Sequence, residues 1–256
     1  KGGFGEVVNA MKKVGENLGA KYHLNEPVLN LQLNRNCIQK IVTHKQEKIF
    51  DAVIASADYH HVEQELLPEK LLAPSCLIYY LGIDKKIERL NHHNLFFDED
   101  LKKHAIEIYK DPKWPNKPLF YVCCPSKTDN TVAPNGHENI FILIPIATAL
   151  SDNLSLREKY FDIVMERLER YVNQEIKSAI VYKKSYCIND FILDYNSFKG
   201  NAYGLANTLM QTAFFKPSLR SKKIKNLFFT GQLTVPGPGV PPSIISGRVV
   251  ADEVEK

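Results

Sequence analysis

The sequence predicts an α/β fold of mixed helices and sheets, and three features of the chain lead to this prediction. A helical periodicity at the start gives way to short strands that continue to residue 55. Longer runs of β-branched and aromatic residues occupy much of residues 76–146. Near the end, an apolar strand, a loop rich in glycine and proline, and a helix follow one another. At 256 residues the chain is long enough for one large domain or two modest ones.

The first elements are a helix and a series of strands. Apolar side chains recur at helical spacing on one face of the predicted helix: Val7, Val8, Met11, Val14 and Leu18. Gly19 is a suitable stop because glycine readily adopts the left-handed conformation that ends helices. Runs at residues 22–24, 28–33 and 38–43 have a β-like composition and are separated by turn-forming residues. Residues 52–55 predict a fully buried strand.

The middle of the chain predicts a separate mixed sheet. Its strands are the apolar runs at residues 76–83, 119–124 and 140–146. Between the last strands lies an amphipathic helix with the following predicted buried side: Leu156, Tyr160, Ile163, Val164, Leu168 and Tyr171. Cys123 and Cys124 lie inside an apolar run, so we interpret them as core residues rather than as a redox pair.

The C-terminal stretch is the most informative part of the sequence. Residues 227–229 predict a short buried strand, and Gly231 permits the tight turn after it. Pro241 and Pro242 suit the first turn of a helix, because proline fixes a helical φ and lacks only a donor that is unpaired there. One narrow face of this helix is predicted to lie on a sheet: Ile244, Gly247, Ala251 and Val254. The amides and the dipole at the start of such a helix favour electron-rich oxygens, and a flavin is one partner that offers them.

Six segments together resemble the bacterial type of phytoene desaturase, a carotenoid-forming flavoenzyme of the amine-oxidase-like FAD family. They are Gly2-Gly3-Phe4-Gly5, residues 24–28, 55–58, 196–202 and 211–217, and the C-terminal stretch from residue 226. The segments occur in the order and spacing of that family, and the resemblance extends from Gly2 to Val254. It implies a partial FAD-binding Rossmann-like domain with an inserted mixed-sheet substrate domain.

The resemblance also implies domain boundaries. Residues 1–75 are expected to form the middle segment of the FAD-binding domain, residues 76–190 the substrate-binding domain, and residues 191–256 the return to the FAD-binding domain. The G-x-G-x-x-G loop that holds the FAD pyrophosphate in this family is missing, since Val8 and Pro242 stand where a third glycine would complete either candidate. We interpret the chain as the C-terminal portion of a longer protein, and we expect this stretch alone to bind FAD poorly and to be inactive.

The resemblance implies four cofactor-binding residues that precede the final loop in the chain. The backbone of Val28 is expected to meet the adenine part of FAD, although an ordinary strand valine is the plain alternative. Asp58 ends a strand, where it can cap the next helix, contact FAD, or do both. Gly231 and Gln232 are expected to face the diphosphate and the ribityl chain. The family has a small or acidic residue at the position of Gln232. The Gln232 side-chain amide can still form hydrogen bonds with the ribityl chain, but it cannot act as a carboxylate.

The final loop and one aromatic pair complete the predicted site. Gly239, Val240 and Pro241 are expected at the edge of the flavin, where a loop without bulky polar groups can lie flat against the ring. A surface turn rich in proline and glycine is the alternative. Phe214 and Phe215 match an aromatic segment of the family near the flavin, and either line a channel for a polyene or pack in the core.

Composition and motifs exclude several other functions. The net charge of +4 comes with no basic stripe interleaved with aromatic residues, so nucleic acid is not a predicted partner. His60-His61 and His92-His93 are neighbours that would point to opposite faces of a strand, and we predict no metal site. The five cysteines form no C-x-x-C pair, which indicates a reducing, cytoplasmic setting.

The resemblance implies FAD-dependent desaturation of phytoene or a related carotene, by transfer of an allylic hydride to flavin N5 and loss of a proton. The alternatives are a desaturase, saturase or isomerase for another polyprenoid or a retinoid, and a non-catalytic remnant of the fold. An apolar polyene substrate implies a channel that opens towards lipid, and Trp114 is a candidate for contact with headgroups. We therefore expect peripheral association with the inner face of the cell membrane. No residue of this chain is nominated as the catalytic acid or base.

Overall fold

The computed structural model describes residues 1–63, 70–212 and 215–256. The helices are α1 (Phe4–Asn17), α2 (Tyr59–Val62), α3 (Leu101–Tyr109), α4 (Leu154–Val172), α5 (Ile188–Tyr195) and α6 (Val240–Val254). The strands are β1 (Val28–Asn34), β2 (Cys37–Thr43), β3 (Glu47–Lys48), β4 (Val53–Ala55), β5 (Ser75–Ile83), β6 (His93–Phe96), β7 (Phe120–Cys123), β8 (Glu138–Ile146), β9 (Ile180–Tyr186) and β10 (Leu227–Phe229).

The described residues divide into two compact units. The first unit contains residues 1–20 and 74–191, and the second contains residues 21–73 and 192–256. The chain passes between them three times, after residues 20, 73 and 191, so each unit is built from two separated stretches. Which unit binds the cofactor and which binds the substrate stays a prediction.

A five-stranded antiparallel sheet forms the centre of the first unit, in the order β6-β7-β8-β5-β9. The three apolar runs predicted from the sequence form its central strands β5, β7 and β8, as expected. Alternate side chains of β8 are fully buried from Ile140 to Ile146, because successive residues of a strand point to opposite faces. Cys124 is buried as predicted, but Cys123 is only half-buried and faces the other side, which corrects its assignment to the core.

Helix α4 begins and ends at clear caps and covers this sheet. The side chain of Asn153 accepts a hydrogen bond from the Leu156 amide, and Asn173 ends the helix in the left-handed conformation. Tyr160, Val164 and Leu168 are buried as predicted, whereas Tyr171 is 50% exposed. The buried stripe is wider on its other side than the sequence predicted, and these residues extend it: Arg157, Phe161, Met165 and Val172.

Two features of the first unit bear on sequence predictions. Trp114 packs its ring against Tyr160, with centroids 4.8 Å apart, and its indole N–H donates to the Ser151 carbonyl at 2.8 Å. The tryptophan is therefore held against its own unit, and contact with lipid at this position stays a prediction. Helix α1 has no buried residue, so the apolar face predicted for it is exposed.

The second unit contains two small sheets. Strands β1, β2 and β3 form an antiparallel meander, and β4 pairs in parallel with β10, with Val53 opposite Leu227 and Ala55 opposite Phe229. Its core consists of Ile38, Tyr59, Leu72, Leu205, Leu227, Phe229 and Leu233. Within the described ranges, no helix is both long enough and apolar enough to cross a bilayer.

Two strand predictions in this unit were wrong. Residues 22–24 form no strand, because Leu24 and Asn25 form a turn in which Asn25 has a φ of 53°, and a strand cannot continue through that conformation. Strand β4 is not fully buried, since Ile54 is 44% exposed. Successive side chains of a strand point to opposite faces, and the face that carries Ile54 is open to solvent in the described residues.

Candidate functional site

The loop between β10 and α6 has a backbone that only glycine adopts without strain. Gly231, Gly237 and Gly239 have φ values of 105°, 133° and 119°, all in the region that side chains rarely occupy. Apart from Gly231 itself and its two chain neighbours, no heavy atom of the described residues lies within 4 Å of the position that a Cβ on Gly231 would take. The loop therefore offers bare backbone and open space beside Gly231, which is the geometry required for close approach of a ligand to the main chain.

Ser246 fixes this loop to the helix that follows it. Its hydroxyl is fully buried, accepts a hydrogen bond from the Gly231 amide at 3.0 Å, and lies 3.0 Å from Thr230 Oγ1 and 3.1 Å from Thr234 Oγ1. Sequence reasoning missed Ser246. It also misplaced the buried face of α6, which consists of Ser246 and Val250 rather than of Ile244 and its helical neighbours.

The physical reason for this correction is the polar network itself. Burying Ser246 provides a partner for the Gly231 amide and for the hydroxyls of Thr230 and Thr234, whereas an apolar residue there would leave the amide and the Thr230 hydroxyl unpaired. The apolar residues Ile244 and Val240 are turned outward as a consequence, and each is 49% exposed.

The start of α6 carries few free donors. Gly239 is the N-cap and makes no side-chain capping bond, and Pro241 and Pro242 have no N–H. The Ser243 amide already donates to the Gly239 carbonyl at 2.9 Å. The predicted anion-binding role of the first amides is therefore restricted to the backbone at Gly239 and Val240, together with the dipole of the helix. Gly239, Val240 and Pro241 are exposed.

A buried lysine contacts the same loop. Lys216 is 8% exposed, and its Nζ has no hydrogen-bond partner among the described residues. A Cβ placed on Gly237 would lie 3.3 Å from this Nζ, so the glycine makes room for the ammonium group. Burial lowers the pKa of Lys216, because removal from water disfavours its charged form. A buried cation without a partner is costly, so this position fits a bound group that offers anionic or electron-rich oxygens.

Comparison with known proteins identifies the group that is expected there. The family model described as flavin-containing amine oxidoreductase matches residues 1–255. The chain belongs to this flavin-containing amine oxidoreductase family. FAD, predicted from the sequence as the cofactor, is confirmed at the level of the family. The bare glycine backbone fits such a group, as does Lys216, whose Nζ has no partner among the residues described.

Individual relatives agree with this family. The chain is 38% identical to a carotenoid 3,4-desaturase of Haloarcula japonica over 98% of its own length and 53% of that protein. It is 27% identical to a zeta-carotene-forming phytoene desaturase of Myxococcus xanthus, over 99% of the chain and 52% of that protein. The chain thus spans about half the length of these curated relatives.

Solved structures confirm the fold. An oxidoreductase from Methanosarcina mazei superposes with a TM-score of 0.65 at 14% identity, covering 100% of this chain and 55% of that one. Cyclohexylamine oxidase from Brevibacterium oxydans superposes with a TM-score of 0.53 at 9% identity, and the match covers 97% of this chain and 53% of that one. At these identities the likeness shows the fold alone, which is the predicted α/β fold of helices and sheets. The sheet of the first unit was predicted to be mixed, but all of its strand pairs are antiparallel, which corrects that prediction.

Asp58 joins two of the segments that carried the resemblance within the second unit. One carboxylate oxygen accepts a hydrogen bond from the His60 amide at 2.9 Å and caps α2, as predicted. The other accepts from the Phe198 amide at 3.1 Å and from Asn201 Nδ2 at 3.4 Å. Both oxygens therefore have protein partners, and a direct contact from Asp58 to FAD stays a prediction.

The remaining predicted residues are not brought together by any described contact. Val28 begins β1 opposite Thr43 and is 53% exposed, and Gln232 is half-buried in the loop after β10. Phe215 is 55% exposed, and Phe214 lies outside the described residues. Their roles towards FAD and the substrate stay predictions.

Proposed function

We propose that the protein carrying this chain is an FAD-dependent desaturase of carotenes. The observation that carries the proposal is the 38% identity, over 98% of the chain, to the carotenoid 3,4-desaturase of Haloarcula japonica. Relatives named phytoene desaturase, from Fusarium fujikuroi and Phycomyces blakesleeanus, support the same substrate class at 27% and 28% identity.

The chemistry follows from the family and the substrate class. When bound, FAD supplies the acceptor for an allylic hydride, while the adjacent carbon of the carotene loses a proton and a new double bond forms. Ser246 holds the Gly231 amide and the loop in one arrangement, so the backbone beside the cofactor is organised in advance. The ammonium of Lys216, which has no hydrogen-bond partner in the described part of the chain, would stabilise negative charge at the edge of the loop.

Apolar side chains at the start of α6 support a hydrocarbon substrate rather than an ionic one. Val240, Ile244 and Ile245 are about half exposed, and this turn contains no acidic or basic residue. A carotene has no charge by which to be held, so its binding depends on burial of hydrocarbon, at about 0.8 kcal/mol for each methylene. The same residues keep water away from the ring edge.

Expression of the full-length protein in cells that accumulate phytoene, and separately in cells that accumulate lycopene, tests the proposal. We expect a product with additional conjugated double bonds in one of the two hosts, detected by chromatography with absorption spectra. The host that responds identifies whether the enzyme extends an unconjugated carotene or modifies an already conjugated one. Cells with an empty vector are the control.

Two results would separate this proposal from its alternatives. A purified protein that shows a flavin spectrum but converts neither carotene would support the alternative that the substrate is another polyprenoid or a retinoid. A protein that remains colourless after addition of FAD would instead support a non-catalytic remnant of the fold.

We also propose that the protein is cytoplasmic and associates peripherally with the inner face of the cell membrane. A carotene dissolves in lipid rather than in water, and the net charge of +4 favours an anionic surface. Co-sedimentation of the full-length protein with anionic vesicles, compared with neutral ones, measures this contact. Equal recovery in the supernatant with and without vesicles would refute it.

A further inference from the structure

Three potential metal ligands converge at one end of the sheet in the first unit. They are His92, His93 and Cys123, and one ligand atom of each lies within 4.8 Å of the other two. His93 on β6 is directly opposite Cys123 on β7, so their side chains share one face of the antiparallel pair. The imidazole rings of His92 and His93 have their centroids 4.2 Å apart.

This cluster contradicts the sequence-based prediction that the two histidine pairs form no metal site. Neighbouring residues of a regular strand point to opposite faces, but His92 lies in a bend immediately before β6. Its carbonyl is held by the Cys124 amide at 2.8 Å, which fixes that bend. The third ligand is thirty positions further along the chain, where no motif spacing would reveal it.

Each imidazole has a second partner that orients the ring. Nδ1 of His93 lies 2.6 Å from the Tyr121 hydroxyl, and Nδ1 of His92 lies 2.6 Å from Thr128 Oγ1. The other ring nitrogen of each histidine, Nε2, is then the one available to a metal. Metal-binding histidines in proteins are oriented by this kind of outer hydrogen bond, which also sets the tautomer.

The ligand set selects the class of ion. Two imidazoles and a thiolate bind zinc at roughly 2.0–2.3 Å, whereas magnesium and calcium prefer oxygen ligands. Tetrahedral binding at those lengths places ligand atoms roughly 3.3–3.8 Å apart, so a small rotation of partly exposed side chains completes the site. His93 is exposed and Cys123 is half-buried, and an ion can therefore enter from solvent.

We propose that His92, His93 and Cys123 bind one divalent ion of the zinc class, with a fourth position left to water. The ion joins β6, which is an edge strand of its sheet, to β7 and holds the bend before it. The proposal rests on these three side chains and uses neither FAD nor the desaturation reaction.

Metal titration of the full-length protein, purified under reducing conditions and freed of metal, tests the site. Zinc affinity is measured by competition with a chromogenic chelator, and cobalt reports a thiolate ligand through its charge-transfer band. The variants are Cys123→Ser and His93→Gln. Matched controls are Cys37→Ser, at another half-buried cysteine, and His44→Gln, at another exposed histidine.

We expect the wild-type protein and both controls to bind one more equivalent of zinc than Cys123→Ser, whose cobalt complex lacks the charge-transfer band. Tyr121→Phe removes an outer partner, and it is expected to weaken zinc binding by roughly 10–100-fold. Circular dichroism of the metal-free variants establishes that they fold. Equal zinc stoichiometry and equal cobalt spectra in Cys123→Ser and wild type would overturn the proposal, as would equal weakening by the two controls.

Discussion

Replacement of Ser246 by alanine is the most direct test of how the loop after β10 is held. The buried hydroxyl accepts from the Gly231 amide and contacts the hydroxyls of Thr230 and Thr234. Thr234 keeps its separate bond to the Gly231 carbonyl at 3.0 Å, so only part of the network is lost. Leaving one amide and one hydroxyl without partners, at about 1 kcal/mol each, gives a destabilisation of about 2 kcal/mol.

The same helix provides a matched control. Ser243 is exposed and lies one turn before Ser246, so Ser243→Ala has the same gain in helix propensity without loss of the buried network. At about 2.1 cal/mol/K of unfolding entropy per residue, a difference of about 2 kcal/mol shifts the midpoint of thermal unfolding by roughly 4 °C for a cooperative unit the size of this chain. We also expect the dissociation constant for FAD to rise about tenfold in Ser246→Ala, because the loop is no longer organised before binding.

Thermal denaturation and a fluorescence titration with FAD measure both quantities. If the free energies of unfolding of Ser246→Ala and Ser243→Ala agree within about 0.5 kcal/mol, the network does not stabilise the loop. If stability falls while FAD affinity is unchanged, Ser246 supports the helix alone and has no part in cofactor binding.

Three further predictions concern the same loop and the cysteines. Lys216→Met should stabilise the cofactor-free protein and weaken FAD binding. Because burial lowers the pKa of Lys216 below its ordinary 10.5, the cost of burying the charged lysine is greatest at low pH and declines as the pH rises towards 10.5. The difference in free energy of unfolding between the variant and the wild type, measured by denaturation, should therefore become smaller as the pH rises. Gly247→Ala should raise the free energy of unfolding by about 0.5–1 kcal/mol, because Gly247 is helical with open space around it, whereas Gly237→Ala should lower it through strain and contact with Lys216. Burial raises the pKa of Cys124 to about 11 and that of Cys187 to about 12, so thiol reagents at neutral pH should label the half-buried Cys37 and Cys123 before these two. Mass spectrometry of early products would contradict this if Cys187 were labelled first.

The local pattern of apolar residues, glycine and proline in the sequence predicted many of the helices and strands of this protein. The periodicity of residues 4–18 and 156–171 predicted α1 and α4, and apolar runs predicted β5, β7 and β8. The strand, the glycine-rich turn and the helix with proline in its first turn were readable at the C-terminus. Each of these signals depends on backbone geometry over a few residues, which neighbouring side chains specify.

Tertiary structure decided the features that depend on distant residues. Ser246 is buried because three polar groups elsewhere in the loop require it, and Lys216 is notable only because Gly237 lies beside it. Cys123 reaches His93 through strand pairing, and a bend overrides the alternation that would have separated His92 from it. Periodicity cannot report such contacts, because it records which face a residue takes on its own element and not what another element places there.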